Sequence, residues 1–561
     1  MAYLNYFNTP DALSMWFIAI ITIVFIAGAF YGADYLKAYK DHKREIALHV
    51  VSYIVTYVAM IALTIVNHAV VFLVAWEIMA LGSFFLIIFE SWKKDVLKAG
   101  LNFFIQSHVS VVFLTFGFMM MYAKTGSFYF SDFAAYREPC GWPFALICAG
   151  FALKAGFVPF HTWLPIAHPV APAHISGVMS GVIIKIGIYG LLRAVTIFNV
   201  DLLVTGKVIL IVAAISGLYG VMMAIVQHNL KKLLAYHSIE NIGIIGIGIG
   251  IGCISSRMGM GQLASLSFAG ALLHTFNHAL FKSSLFFTAG NVYQATHTLN
   301  VEKMGGLMKK MPLTAMFFLI SAVAICGLPP MNGFVSELMI YMGLYGTLIK
   351  APMLLQIGTA AVILALALIG GLAILCFTKA FGIVFLGESR SELPQIKEFG
   401  AMRTIPLAVM ALIMLSVGVF PSFYIGIINN IIPIFGTSQI SLSGAVPAIG
   451  RASAILIAVA LVLWLLRSFS NKNKTIKSGD TWGCAYPVPS AKMQYTATSF
   501  VNTYTSLVKG VLKTGLIDKC VNAYLKFTGR FAFLQNGHVQ SYILYGIVFI
   551  VVTIILTLVL C

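Results

Sequence analysis

LLHTFNHALFKSSLFF, residues 272–287, lies inside a long apolar stretch and carries His274, His278 and Lys282. Four residues turn a helix by about 400°, so these three ionisable groups fall on nearly one face. A segment apolar enough to lie in lipid has no reason to carry such a stripe unless other buried groups or water face it. The rest of the chain supplies the solvent and the partners.

Of 561 residues, 60% are hydrophobic and 10% charged, with a mean hydropathy of +0.93. Soluble domains carry about 25% charged residues. Apolar runs of about 18 residues or more recur from end to end, the mark of a polytopic helical membrane protein. The reading is all-α, with about fourteen transmembrane helices near 12–32, 47–66, 68–89, 100–122, 143–160, 174–198, 207–226, 237–254, 265–290, 312–348, 354–387, 404–430, 448–468 and 541–560.

The net charge of +18 would point to nucleic acid in a soluble protein. Here the basic residues sit in loops between spans, so they report orientation and argue against a nucleic-acid partner. Following the chain back and forth, one side collects Lys37, Lys40, Lys43, Arg44, Lys93, Lys94, Lys98, Lys231, Lys232, Lys303, Lys309, Lys310, Arg390 and Arg467. The other side receives scattered charges such as Lys124, Arg137, Lys207 and Arg257. The rich side is read as cytoplasmic, which places both termini outside. The start, MAYLNYFNTPDALSMWF, has no basic region followed by a small-residue cleavage site, so no removable signal peptide is expected. Residues 469–540 form one long cytoplasmic connection. It opens on a basic run, NKNKTIKSGD, and from about 495 has spaced apolar positions that predict an amphipathic helix along the membrane or a partner subunit.

Four further places put charge inside spans: Glu77 in VVFLVAWEIMALGSFF, Lys154 in LICAGFALKAGFVPF, Lys185 in SGVIIKIGIYGLL, and Glu337 just after Pro329 and Pro330. Each costs at least a few kcal/mol unless it has a partner or a wet cavity. A static ion pair explains one such site well and a set of mixed acids, bases and imidazoles poorly. His, Lys and Glu all exchange protons when burial and neighbours draw them toward neutrality, so together with water they can form a relay. GFALKAGFVPFHTWLP and AICGLPPMNGFVSE each set a proline break beside a buried charge, in well-separated parts of the chain. Paired broken helices predict inverted structural repeats.

Competing chemistries fit less well. HTFNH spaces two histidines for a helical metal site but lacks the glutamate of HExxH, so no metal is expected. GIIGIGIGIG, residues 243–252, does not fit a dinucleotide loop and reads as a helix-packing ladder. The eight cysteines form no CxxC pair, so iron–sulfur or structural zinc ligation within this chain is not expected.

AWEIMALGSF, LKAGFVPFHTWLPIAHPVAPAHISGVMSGVIIKIGIYGLLR, QHNLKKLLAYHSIENIG, LLHTFNHALFKSSLFFTAGNV and GLPPMNGFVSE resemble the antiporter-like, proton-conducting family shared by complex I, Mrp-type antiporters and energy-conserving membrane hydrogenases. The resemblance reaches from the first span to about residue 430. It implies an antiporter-like fold with inverted repeats and two broken helices. It divides the chain into peripheral helices at 1–67, a first channel repeat at 68–226, a second at 227–430, and C-terminal helices with the connection at 431–561. It also implies a charged axis at the membrane midplane: Glu77 pairs with Lys154 and biases Lys185, His274 and His278, Lys282 tunes them, and a proton leaves by Glu337. His161 and His168, in HTWLPIAHP, and Glu240, in YHSIENIG, are secondary candidates.

NVEKMGGLMKKMP, the acid in YHSIENIG and above all TWGCAYPVPSAKMQYTATSF look most like the hydrogenase-4 and formate hydrogenlyase branch. That branch implies a bacterial or archaeal cytoplasmic membrane and a proton-conducting subunit without a redox site of its own. Its implied partners are lipid, other antiporter-like and small membrane subunits, and a cytoplasmic hydrogenase module whose subunits hold the nickel–iron centre and iron–sulfur clusters. Formate dehydrogenase is a further candidate partner, and Na⁺ an alternative to H⁺. An Mrp-type Na⁺/H⁺ antiporter subunit, a complex I pumping subunit, an inorganic-carbon accumulation subunit and a scaffold with an unused axis are the alternatives. Relative to larger relatives, about two N-terminal helices are expected to be missing.

Overall fold

The computed structural model describes residues 6–441 except 393 and 395, then 445–472 and 490–512, and beyond these 519, 522, 523, 526, 529, 530, 544–549, 551, 552 and 555. Among the described residues the chain is helical, with three isolated β-bridges and no named strand.

The first half begins with α1 (Ala12–Tyr35), α2 (Lys43–Ile65), α3 (Ala69–Ile87) and α4 (Lys94–Thr125). A short α5 (Phe130–Ala135) leads into α6 (Gly141–Ala155), which stops because Gly156 takes a left-handed φ of +86° and Pro159 follows. The chain resumes with α7 (Leu164–Val170) and α8 (Ala173–Val178), passes through one π turn at Met179–Ile183, and continues as α9 (Ile184–Ile197) and α10 (Leu202–Ile225).

In the second half α11 (Leu230–Arg257) and α12 (Gly261–Thr296) are followed by a four-residue α13 (Leu307–Lys310) and α14 (Pro312–Ile325). The second break repeats the device of the first. Gly327 takes φ +62°, prolines follow, and α15 (Asn332–Lys350) restarts the helix. Beyond it lie α16 (Met353–Phe385), α17 (Ala401–Val419), α18 (Pro421–Ile428), α19 (Ala445–Asn471) and α20 (Ala497–Leu512).

Ten helices among the described residues are long and apolar enough to cross a membrane. Against the expected fourteen spans, the differences have identifiable causes. α6 and α14 are short apolar pieces ending at the breaks. α12 has 36 residues, about 54 Å, but carries the polar stripe. The expected span at 404–430 is two helices divided before Pro421, and most of the one expected near 541–560 lies outside the described residues. α20 occupies part of the expected amphipathic segment, with Ala497 and Val501 buried.

α11 and α12 form the buried centre, while α19 turns many large apolar side chains, Trp464 among them, to its surroundings. The glycine ladder explains how α11 fits there. A methyl group on Gly243 would stand 2.5 Å from the Gly217 nitrogen, and one on Gly250 would stand 2.8 Å from the Leu210 nitrogen. The backbones of α10 and α11 therefore touch directly, the close approach that small residues allow in membranes.

Candidate proton path

Each break places a buried charge close to a helix end. Lys154 lies in the last turn of α6, beside carbonyls that have no partner further along the helix, and a helix C-terminus favours a cation. Glu337 lies in the second turn of α15, past the free N–H groups of its first turn. Its carboxylate folds over the second break, since a methyl group on Gly327 would stand 2.6 Å from Glu337 Oε2.

In the first half, Glu77 and Lys154 are fully buried and interact through space as opposite charges. They do not form a contact ion pair. The Lys154 ammonium stands 4.9 Å from the Phe103 ring centre and has no hydrogen-bond partner in the protein. Glu77 Oε2 instead meets His108 Nε2 at 3.5 Å. His108 Nδ1 is 2.9 Å from the Phe104 carbonyl, which only accepts, so Nδ1 carries a hydrogen.

Lys185 joins the halves. Its Nζ lies 2.5 Å from His278 Nδ1 and also donates to the Ser180 carbonyl, inside the π turn. π turns often mark functional positions because they disturb the regular bonding of the helix. Ser180 Oγ meets Ser238 Oγ at 2.8 Å, Ser238 donates to the Leu234 carbonyl, and Lys282 donates to that same carbonyl. Lys185 bonds the Ser180 backbone carbonyl and not its hydroxyl, so the Ser180–Ser238 pair and Lys282, which share the Leu234 carbonyl, form a neighbouring cluster.

His274, on the same stripe of α12, has its own buried partners. His274 Nε2 donates to Asn241 Oδ1 at 3.1 Å, and its Nδ1 lies 2.9 Å from Ser336 Oγ. Ser336 Oγ also stands 3.0 Å from the Gly333 carbonyl. With only one hydroxyl hydrogen, Ser336 donates to Gly333 when His274 is doubly protonated and must turn toward the ring when it is neutral. The next residue is Glu337. A hydrogen bond joins Lys185 to His278, His274 and Lys282 lie in neighbouring clusters that interact with Lys185 through space, and the Glu77–Lys154 group stands apart.

The secondary candidates are buried too. His161 lies in the first break, with its ring 4.8 Å from that of Tyr219. His168 stacks on Phe286 at 4.8 Å, and neither of its ring nitrogens has a protein partner. The Lys282 ammonium lies over that same phenyl ring, 5.6 Å from its centre. Glu240 is bonded to His237 one turn earlier on α11. Several of the buried polar atoms without protein partners fall along this route, including Glu77 Oε1, Lys154 Nζ and His278 Nε2. Groups of this kind are normally met by water.

Sequence reasoning missed His108 and His237. A lone histidine in a span, as in QSHVSVV, carries no signal by itself. The HSIE spacing did, because three residues put His237 and Glu240 on one face. The His49–His174 pair, with Nε2 atoms 2.8 Å apart between α2 and α8, had no sequence signal.

Residues 66–364 match the family described as NADH:quinone oxidoreductase/Mrp antiporter, TM. Hydrogenase-4 component B of Escherichia coli is 31% identical over 503 residues, 85% of this chain and 73% of that one. Formate hydrogenlyase subunit 3 of the same organism is 33% identical over 339 residues, 60% of this chain and 54% of that one. A chain in the solved membrane-bound sulfane sulfur reductase, an archaeal respiratory membrane complex, superimposes with a TM-score of 0.76 at 24% identity, covering 97% of this chain and 88% of that one. The chain therefore belongs to the antiporter-like family of multi-pass membrane subunits found in NADH:quinone oxidoreductases and Mrp antiporters.

Proposed function

We propose that this chain is the proton-translocating membrane subunit of an energy-conserving, membrane-bound nickel–iron hydrogenase of the hydrogenase-4 or formate hydrogenlyase type. The observation that carries the reading is the buried cluster in which Lys185 is hydrogen-bonded to His278, with the Ser180–Ser238 pair and Lys282 beside it. Charged groups flank it in both halves. A membrane protein with no ion to move gains nothing from burying so many ionisable groups. The hydrogenase branch rests on the extent of the likeness to hydrogenase-4 component B.

In this reading the partner subunits hold the nickel–iron centre and the iron–sulfur clusters, and their redox chemistry perturbs the charge on Glu77. That change reaches Lys154 through space, then Lys185 and the imidazoles, and a proton leaves past Glu337. Both termini face outward and the basic loops face the cytoplasm. Formate dehydrogenase is an added partner in the formate hydrogenlyase variant.

The test is purification through a tag on this chain, followed by reconstitution in sodium-free liposomes. Co-purified hydrogenase subunits and substrate-driven acidification support the reading. Transport that requires Na⁺ would favour an Mrp-type antiporter, and unchanged acidification in Lys154→Ala and Glu337→Ala complexes would favour a scaffold.

A further inference from the structure

We propose that His237, Glu240 and Lys282 form a second acid–imidazole–lysine switch, the counterpart in the second half of Glu77, His108 and Lys154 in the first. This rests on the proton-translocating reading above and adds a control point to it.

The correspondence is one of geometry and chemistry. In each half a fully buried glutamate has a histidine as its hydrogen-bonding or ion-pair partner: Glu77 with His108, and Glu240 with His237. In each half a fully buried lysine interacts with that glutamate through space and forms no contact ion pair with it. Both lysines lie over an aromatic ring, Lys154 over Phe103 and Lys282 over Phe286. The two imidazoles differ in which nitrogen faces the acid, Nε2 in His108 and Nδ1 in His237.

The second set is also placed to act on the rest of the route. Lys282 donates to the Leu234 carbonyl, which also accepts from Ser238, the hydroxyl partner of Ser180. Asn241, the neighbour of Glu240, accepts from His274 and donates to the His237 carbonyl. The groups facing His237 from other helices are Phe377, Cys376 and Lys379 on α16 and Lys282 on α12. Lys379 is committed to the Ile225 and Gln227 carbonyls at the end of α10. Lys282, also bonded to a carbonyl, is the cation that interacts through space with Glu240, which Glu337 and Cys326 also face.

The proton count is simple. With one proton between His237 Nδ1 and the Glu240 carboxylate the pair is an anion and holds Lys282 as an ammonium. A second proton neutralises the pair, Lys282 loses its counter-charge, and its proton passes to a water beside it. No electron moves and no bond other than N–H and O–H changes.

The experiment uses the intact complex in proteoliposomes, reading protons moved per substrate turnover together with the carboxylic acid band in redox-difference infrared spectra. Glu240→Gln is expected to lower protons per turnover by about five-fold or more, the size of an ordinary coupling between sites. It should also remove one carboxylic acid signal, and Glu240→Asp should restore much of both. In the Glu240→Gln background, Lys282→Met should cause no further loss. Normal pumping by Glu240→Gln beside a failing Glu77→Gln complex would overturn the second switch and leave the proton-translocating reading intact. Normal pumping by both would overturn that reading itself. If Glu240→Gln alone does not assemble, the Glu240→Gln/Lys282→Met complex, which removes both charges, decides: normal pumping by it overturns the switch.

Discussion

Lys185 Nζ stands 2.5 Å from His278 Nδ1, although 93 positions separate the two residues. With Lys185 as the donor, Nδ1 accepts and the neutral ring carries its hydrogen on Nε2. That nitrogen has no protein partner. A proton received by one side of the ring can leave from the other, which a lysine paired with a carboxylate would not permit.

Replacing Lys185 with Met keeps much of the side chain's bulk and removes the donor. Redox-driven proton uptake should fall by roughly a hundred-fold, the lower end of what a positioned proton-transfer group contributes. Acidification assays on reconstituted complex, normalised to electron transfer, read this directly.

The Glu77–His108 contact should appear as coupling in a double-mutant cycle. His108→Phe leaves a buried acid without its imidazole, whereas Glu77→Gln added to it removes the charge at risk. Detergent unfolding should return a coupling energy of about 1 kcal/mol, within the range for residues in contact. Additive effects would mean that the 3.5 Å approach carries no interaction.

Glu302 ties α20 to the loop after α12. Burial works to raise its carboxyl, but the Thr498 hydroxyl and N–H, the Ala497 N–H and His228 together hold it below the usual value of 4.5. A lowered value means that the tie is complete above about pH 4.5 and is lost as pH falls through the depressed value. A nitroxide at Asn502→Cys should gain mobility in that acid window, and Glu302→Gln should abolish the pH dependence.

Gly243→Ala should destabilise the protein by about 1–3 kcal/mol, because the new methyl group meets backbone and cannot be accommodated by turning a side chain. Melting of the purified chain in detergent, compared with Gly358→Ala where nothing stands within 4 Å, separates the clash from the change in helix propensity.

The sequence was legible wherever the signal was local. Apolar runs marked the membrane helices, proline and glycine marked both breaks, and charges such as Glu77 and Lys185 stood out against apolar neighbours. The connections between them were not legible. Ser180 meets Ser238 from 58 positions away and His274 meets Ser336 from 62. Serine and asparagine in a membrane helix normally satisfy themselves on their own backbone, so nothing in their identity announces such a partner. His108 was hidden for a related reason: its role depends on which helix α4 packs against, and no spacing within α4 encodes that.

The seam between α10 and α11 has a mechanical consequence. Helices separated by side chains can slide, because rotamers yield at small cost. Gly243 and Gly250 bring bare backbone against Gly217 and Leu210, so this pair has no compliant layer between its members. The girder that carries Ser238, Glu240 and Asn241 is therefore stiff along its length. Shape change during a transport cycle is left to the π turn beside Lys185 and to the two glycine breaks, and a cross-link across the α10–α11 seam should leave turnover untouched.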